Sequence, residues 1–334
     1  MVKGGIIMPL PFLAWAAIAA VGGMGAVGHA VARDDQKEAE SIARRAKRTY
    51  DDAKSSLESA AIIAESRLES LGRSKKEVYD TSMKRFMRSF ERIQDIPDKN
   101  FPGMDELRNF RITPSDMIQL REMGSLYDGA FAAGAGAAAG AGFAALAANG
   151  SLSAVGSALM AGNIGTALTG LGGALTATPL AVIGAPVMFF TALSASFKAD
   201  ENKEKARAML AEAESKAEKM KTDETFCRAV GERADMFRGL LSRLNGMFAP
   251  CVDRLEDMVR SKTVYDPYRK ISGYELSDNQ LALCAVTGSL AGAVKSVLDV
   301  PILSGSREIH PRVDSTITRV SGKLPALVSN FKRV

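Results

Sequence analysis

The chain has 334 residues, with 43 Lys and Arg against 38 Asp and Glu and a formal charge of +5. The two signs are interleaved, so only modest attraction to anionic lipid or nucleic acid follows and DNA binding is not inferred. Aromatics at 6% beside 30 glycines favour close helix contact over a core of bulky side chains, and three scattered cysteines (Cys227, Cys251, Cys284) are too few for a disulfide framework or zinc cluster and read as small core residues.

Residues 1–32 open the chain with an apolar helix. Ile6 to Gly28 carries no charge, includes Phe12 and places Trp15 near its middle, long enough to cross a bilayer. Lys3, the apolar centre and Ala30-Val31-Ala32 also have the layout of a cleaved signal peptide, which would make the mature protein secreted or periplasmic. Pro9, Pro11 and the close-packing glycines Gly22, Gly23, Gly25 and Gly28 suit a retained membrane helix instead.

Residues 33–96 form a first charged arm. Ala39, Ala43, Ala46, Tyr50, Ala53, Leu57, Ala60 and Ala64 alternate spacings of four and three, a coiled-coil seam. Its alanines bury little area each, so the seam needs a partner helix. Arg44, Arg45, Lys47 and Arg48 make a basic cluster able to touch lipid phosphates, or a solvated face balanced by nearby acids. Gly72, Ser74 and Glu77 read as a helix end with a new cap, or as a kink in one long helix. In the linker 97–128, Thr113-Pro114-Ser115-Asp116 caps a short helix with Pro at its first position.

From Gly129 to Phe197 there are 69 consecutive residues without Asp, Glu, Lys or Arg. This stretch reads as a Gly/Ala-rich membrane or core hairpin, with length for up to roughly three crossings. Gly134, Gly136, Gly140 and Gly142 let another helix backbone come close. With only Phe131, Phe143 and Leu146 strongly apolar, that first part gains about −1 to −2 kcal/mol on insertion. Leu180 to Phe197, which holds Ile183, Phe189 and Phe190, gains roughly −2.4 to −4.8 kcal/mol and is the best internal span.

Residues 198–262 repeat the seam in a second arm: Ala206, Leu210, Ala213, Ala217, Met220, Cys227, Val230, Ala234, Phe237, Leu241, Leu244 and Phe248, with Glu224 on one slot and Pro250 ending or bending the helix. Within 263–303, Tyr265, Tyr268 and Tyr274 around Arg269 and Lys270 make a polar aromatic loop, either anchored structurally by its rings or offered to a partner. Ser277 and Gln280 then cap a weakly polar helix, a core element with Gly288 and Gly292 at the contact. The tail 304–334 is basic and amphipathic, with Val313, Ile317, Val320, Leu324 and Phe331 on one face; it packs on the bundle or binds anionic membrane.

His29 and His310 lie in different regions without a triad or metal arrangement, and no GxxxxGK[ST] phosphate loop occurs. The expectation is a protein that is not an enzyme, with no cofactor, no metal and no inferred small-molecule substrate. The Pro-containing apolar N-terminus, the Ala-rich arm, Arg85 to Ile93 and Leu298 to Leu303 resemble a group of uncharacterised bacterial helical proteins often labelled chemotaxis-like. That resemblance implies a membrane-associated helical fold and brings no catalytic residues; the expected location is a bacterial inner membrane. In architecture, long helices flanking an apolar hairpin also look like cytolysin A-type pore-forming proteins.

The expected fold is all-α, with long antiparallel coiled-coil arms flanking the Gly/Ala-rich hairpin behind an apolar N-terminal helix. Its expected partners are a lipid bilayer and a further copy of the chain or a coiled-coil protein. Two functions follow: conditional insertion with oligomerisation that permeabilises or remodels a bilayer, or a membrane-anchored scaffold that binds a protein.

Overall fold

The computed structural model of the protein describes residues 28–97, 101, 104–133, 199–266, 268–304 and 308–334. These form α1 (Gly28–Val78), α2 (Lys84–Phe90), α3 (Pro114–Ala133), α4 (Ala199–Lys262), α5 (Asp278–Leu298) and α6 (Arg312–Phe331). A π-helical turn, Tyr79–Met83, joins α1 to α2, and a 3-10 turn, Asp105–Phe110, precedes α3. The only sheet among the described residues pairs β1 (Ile93–Gln94) in parallel with β2 (Ile271–Ser272), Ile93 facing Ile271. The fold is all-α. Phe12, Trp15, Gly134, Gly136, Gly140, Gly142, Leu180, Ile183, Phe189 and Phe190 lie outside the described residues.

The chain divides into two compact units, one from Met1–Lys54 and Ile183–Met220, the other from Ser55–Val182 and Lys221–Val334. In the first, the seam residues Ala39, Ala46 and Tyr50 of α1 and Ala206, Ala213 and Met220 of α4 are buried. Lys203 pairs with Glu38 at 2.6 Å and Arg45 with Glu214 at 3.9 Å. The hydrogen bond from Lys203 holds the Glu38 carboxyl below its ordinary range.

In the second unit Leu57, Ala60, Ala64, Leu68 and Leu71 of α1 are buried, as are Cys227, Val230, Ala234, Phe237, Leu241, Leu244 and Phe248 of α4. Arg67 pairs with Asp235 at 3.1 Å, Ser82 donates to Asn245 Oδ1 at 2.7 Å and Arg85 pairs with Asp253 at 2.8 Å. In both units the partners' numbers rise together, so α1 and α4 run parallel. This corrects the expectation of antiparallel arms. Interleaved charges and a seam of alternating fours and threes are compatible with either direction, so the pattern carries no sign of it. Parallel neighbours need a long return path, and α3 supplies part of one: Arg121 pairs with Glu91 at 2.7 Å and Asp128 with Lys84 at 3.4 Å, which runs α3 back along α2 and α1.

Gly72 does not end α1, which continues to Val78 with Gly72 buried inside the packing. Pro250 does not end α4 either. Proline removes the bond to the carbonyl four residues back and crowds it. That carbonyl belongs to Gly246, an exposed position with open space around it where water can take the freed acceptor.

Helix α5 is the one described helix long and apolar enough to cross a membrane, but 83% of its apolar window is buried inside the protein, which makes it a core helix. Its start carries the capping box read from the sequence: Gln280 N–H donates to Ser277 Oγ and Ser277 N–H to Gln280 Oε1 at 3.0 Å. A Cβ on Gly292 would lie 1.9 Å from the Phe110 carbonyl oxygen, so only glycine admits the 3-10 turn this close. Helix α6 packs on α5 and on that turn. Val313 and Val320 are buried as expected of the tail, together with Leu327, while Ile317, Leu324 and Phe331 stay partly exposed.

Candidate functional site

The densest assembly of buried charge lies in the second unit, where the end of α1 meets α3, α4 and the end of α5. Lys75 continues the α1 seam, four residues after Leu71 and three before Val78, and is fully buried. Its Nζ donates to the Leu298 carbonyl at 3.1 Å and the Val300 carbonyl at 2.9 Å, and lies 6.0 Å from the centre of the Phe237 ring. Burial pushes its pKa down from 10.5 to about 7, against an attraction from Asp299. The last carbonyls of a helix are left without intrahelical donors, so an amine placed there satisfies them.

Lys295 on α5 has the opposite surroundings. It is nearly buried, yet it bonds Asp299 and lies 3.2 Å from Asp116 Oδ1 at the start of α3. Burial works against its charge, but the two carboxylates outweigh that and raise its pKa. Asp116 also makes the predicted cap of α3, accepting from Thr113 N–H at 2.8 Å and Thr113 Oγ1–H at 2.6 Å. Burial opposes ionisation of Asp116, and the Thr113 bonds with Lys295 overcome it, lowering its pKa.

On the π-helical turn, Asp80 sits between Lys76 and Lys84. Their hydrogen bonds overcome its burial and lower its pKa. Tyr79 O–H donates to the Leu120 carbonyl at 2.6 Å, and its ring stands 5.1 Å from that of buried Tyr127, whose pKa burial raises. A Cβ on Gly124 would meet Tyr79 Oη at 2.2 Å, so this glycine makes room for the tyrosine pair. One extra residue in a helical turn re-aims the side chains that follow it. At the junction burial drives the Lys75 amine toward its neutral form. With the amine fully buried it offers no nucleophile to an outside substrate.

The basic cluster of the first arm is open to solvent: Arg44, Arg45, Lys47 and Arg48 are all exposed. Arg44 pairs with Glu40 at 3.7 Å and Arg45 with Glu214 at 3.9 Å, both weak surface contacts. The three cysteines are buried and free, with thiols raised by burial to about 11 (Cys227), 11 (Cys251) and 12 (Cys284). Among the described residues no group of three or more His, Cys, Asp or Glu is placed to hold a metal ion.

The aromatic loop after α4 is not anchored by its rings. Tyr265, Tyr268 and Tyr274 are 102%, 91% and 80% exposed. Buried Ile271 and Leu276 anchor the loop instead, with Lys270 Nζ donating to the Glu91 carbonyl at 2.9 Å and Lys262 Nζ to the Glu275 carbonyl at 3.0 Å. A capping box between Ser272 and Glu275 fixes its last turn. Sequence reasoning missed Lys75, although a lysine on a seam slot is a signal it could have used. No family model, curated protein or solved structure matches the chain.

Proposed function

We propose that the protein is a non-catalytic, membrane-associated helical protein whose uncharged stretch 129–197 enters a bilayer conditionally and oligomerises there, permeabilising or remodelling it. The arms α1 and α4 then form a coiled-coil stalk. One observation carries this reading. The Glu38–Lys203 pair sets the beginnings of α1 and α4 side by side, so the apolar stretch 6–28 and the stretch 129–197 lead into the arms at the same end. Helix starts that lie side by side, each preceded in the sequence by an uncharged segment of membrane-spanning length, suit a bilayer-facing end. Antiparallel arms would have separated them.

Arg44, Arg45, Lys47 and Arg48 follow on α1, exposed and, with Arg44 and Arg45 held only by weak surface pairs, able to meet lipid phosphates once the apolar segments dock. The glycines Gly134, Gly136, Gly140 and Gly142 supply the close contact for oligomerisation. The bilayer in this reading is a bacterial inner membrane. The exposed tyrosines favour a second reading, a membrane-anchored scaffold that binds a protein through Tyr265, Tyr268 and Tyr274, since tyrosine is enriched at the energetic centres of interfaces.

Purified full-length protein mixed with anionic liposomes separates these readings. Dye release with binding supports insertion, and binding without release supports the scaffold. A monodisperse monomer that ignores vesicles of every composition overturns both.

A further inference from the structure

Lys75 has no part in that reading, and its position is costly. Its ammonium form has two peptide carbonyls and a distant ring as neighbours, without a carboxylate in contact. Asp299 at the end of α5 is the charged group that acts on it; Lys76, Tyr79 and Asp80 from α1 and the π turn, Asp116, Tyr127 and Asp128 from α3 and Lys295 from α5 belong to the same junction through their contacts with one another, and α4 offers the Phe237 ring. The nearby carboxylates are engaged elsewhere: Asp80 by Lys76 and Lys84, Asp128 by Lys84, Asp116 and Asp299 by Lys295. The amine therefore joins α1 to the end of α5 most comfortably when neutral, where it still donates to both carbonyls.

We propose that Lys75 is the bolt of a proton-operated latch: on acidification the amine takes a proton from solvent, and α3 with the end of α5 loosens from α1 so that water can reach the new charge. The step adds one proton to the Nζ lone pair and breaks no covalent bond. Its consequence rests on the membrane reading above, because α3 runs on directly into the uncharged stretch; the latch itself does not.

The direction follows from linkage. In the opened junction Lys75 binds its proton at the ordinary value of 10.5, in the closed one at about 7. Opening therefore grows more favourable as pH falls from about 10.5 to about 7 and gains nothing more once both forms are protonated. Between pH 9 and pH 6 the opening constant rises roughly a hundredfold, and below about pH 6 it is flat. A histidine or carboxylate device has the opposite signature, with its change at and below pH 6.5.

Native-state amide exchange of α3 and the end of α5 in the full-length protein tests this, each pH being read as the ratio of wild type to Lys75→Gln. Glutamine keeps an N–H donor for the carbonyls but does not titrate, and Lys75→Met is the apolar second variant. The expected result is a ratio that climbs roughly a hundredfold from pH 9 to pH 6 and then levels, with the response kept in a His29→Gln/His310→Gln variant. A ratio that stays constant, or a response that vanishes with the histidines, overturns the latch. Dye release from anionic liposomes that tracks the same curve extends the latch to the membrane. If the exchange curve appears while vesicles are ignored, the latch stands and the membrane reading falls.

Discussion

Lys295 lies between the Asp116 and Asp299 carboxylates, whereas Lys75 faces two peptide carbonyls. The same side chain is held charged in the first case, where it keeps some exposure and two carboxylates, and driven toward neutrality in the second, where burial is complete and no carboxylate repays the loss of water around the ammonium. Replacing Lys295 by Met strands two partly buried carboxylates and is expected to cost about 2–4 kcal/mol at pH 7, read from urea unfolding. Asp80 and Asp116 both ionise more easily than free aspartate. Each therefore contributes stability that is complete above about pH 4 and is lost as pH falls through its lowered native value. Urea midpoints measured from pH 5 down to pH 2.5 should fall, and fall less in Asp116→Asn; an identical slope would remove Asp116 from the account. Ser289 Oγ is buried without a hydrogen-bond partner, so Ser289→Ala should raise stability by about 1 kcal/mol in the same measurement.

At the level of elements, α5 meets the 3-10 turn so closely at Gly292 that a single methyl group collides with backbone. Gly292→Ala is expected to destabilise by about 1–3 kcal/mol or more, since a backbone carbonyl cannot step aside as a side chain would. The alignment of α1 with α4 is testable by short thiol cross-linkers. Arg67→Cys with Asp235→Cys and Arg85→Cys with Asp253→Cys should both couple, whereas antiparallel helices would couple Arg67→Cys with Asp253→Cys. The tyrosine loop predicts the reverse of a core: Tyr265→Ser, Tyr268→Ser and Tyr274→Ser together should leave the urea midpoint nearly unchanged, within about 0.5 kcal/mol per site.

What the sequence made legible at this scale is local. The Thr113–Asp116 and Ser277–Gln280 caps involve atoms three residues apart, and both form as read. The seam periodicity is likewise local, and most of its positions are buried. Direction of pairing depends on contacts between residues about 165 to 170 apart in the chain, such as Glu38 with Lys203, which no window of periodicity contains. The seam slot of Lys75 was legible, but what it bonds to was not: its partners, the Leu298 and Val300 carbonyls, are backbone groups that leave no mark in residue identity. Of the two readings of Tyr265, Tyr268 and Tyr274, exposure of the rings removes the anchored one, a difference that residue identity alone does not reveal because an aromatic ring suits either role.

For the molecule as a whole, the assignment of α5 to the core removes the strongest hydropathy signal among the described residues from any count of crossings. Reporters placed at Tyr265 and at the C-terminus should consequently be protected or accessible together in a protease-protection assay. The packing of the second unit constrains topology further. Residues ahead of the uncharged stretch are joined to residues behind it, by Arg67 to Asp235 and Arg85 to Asp253. Both flanks must then occupy one aqueous compartment, so any passage of 129–197 through a bilayer comes in pairs. A lone or threefold traverse is ruled out by parity while that packing holds, and an in-and-out excursion is the arrangement left.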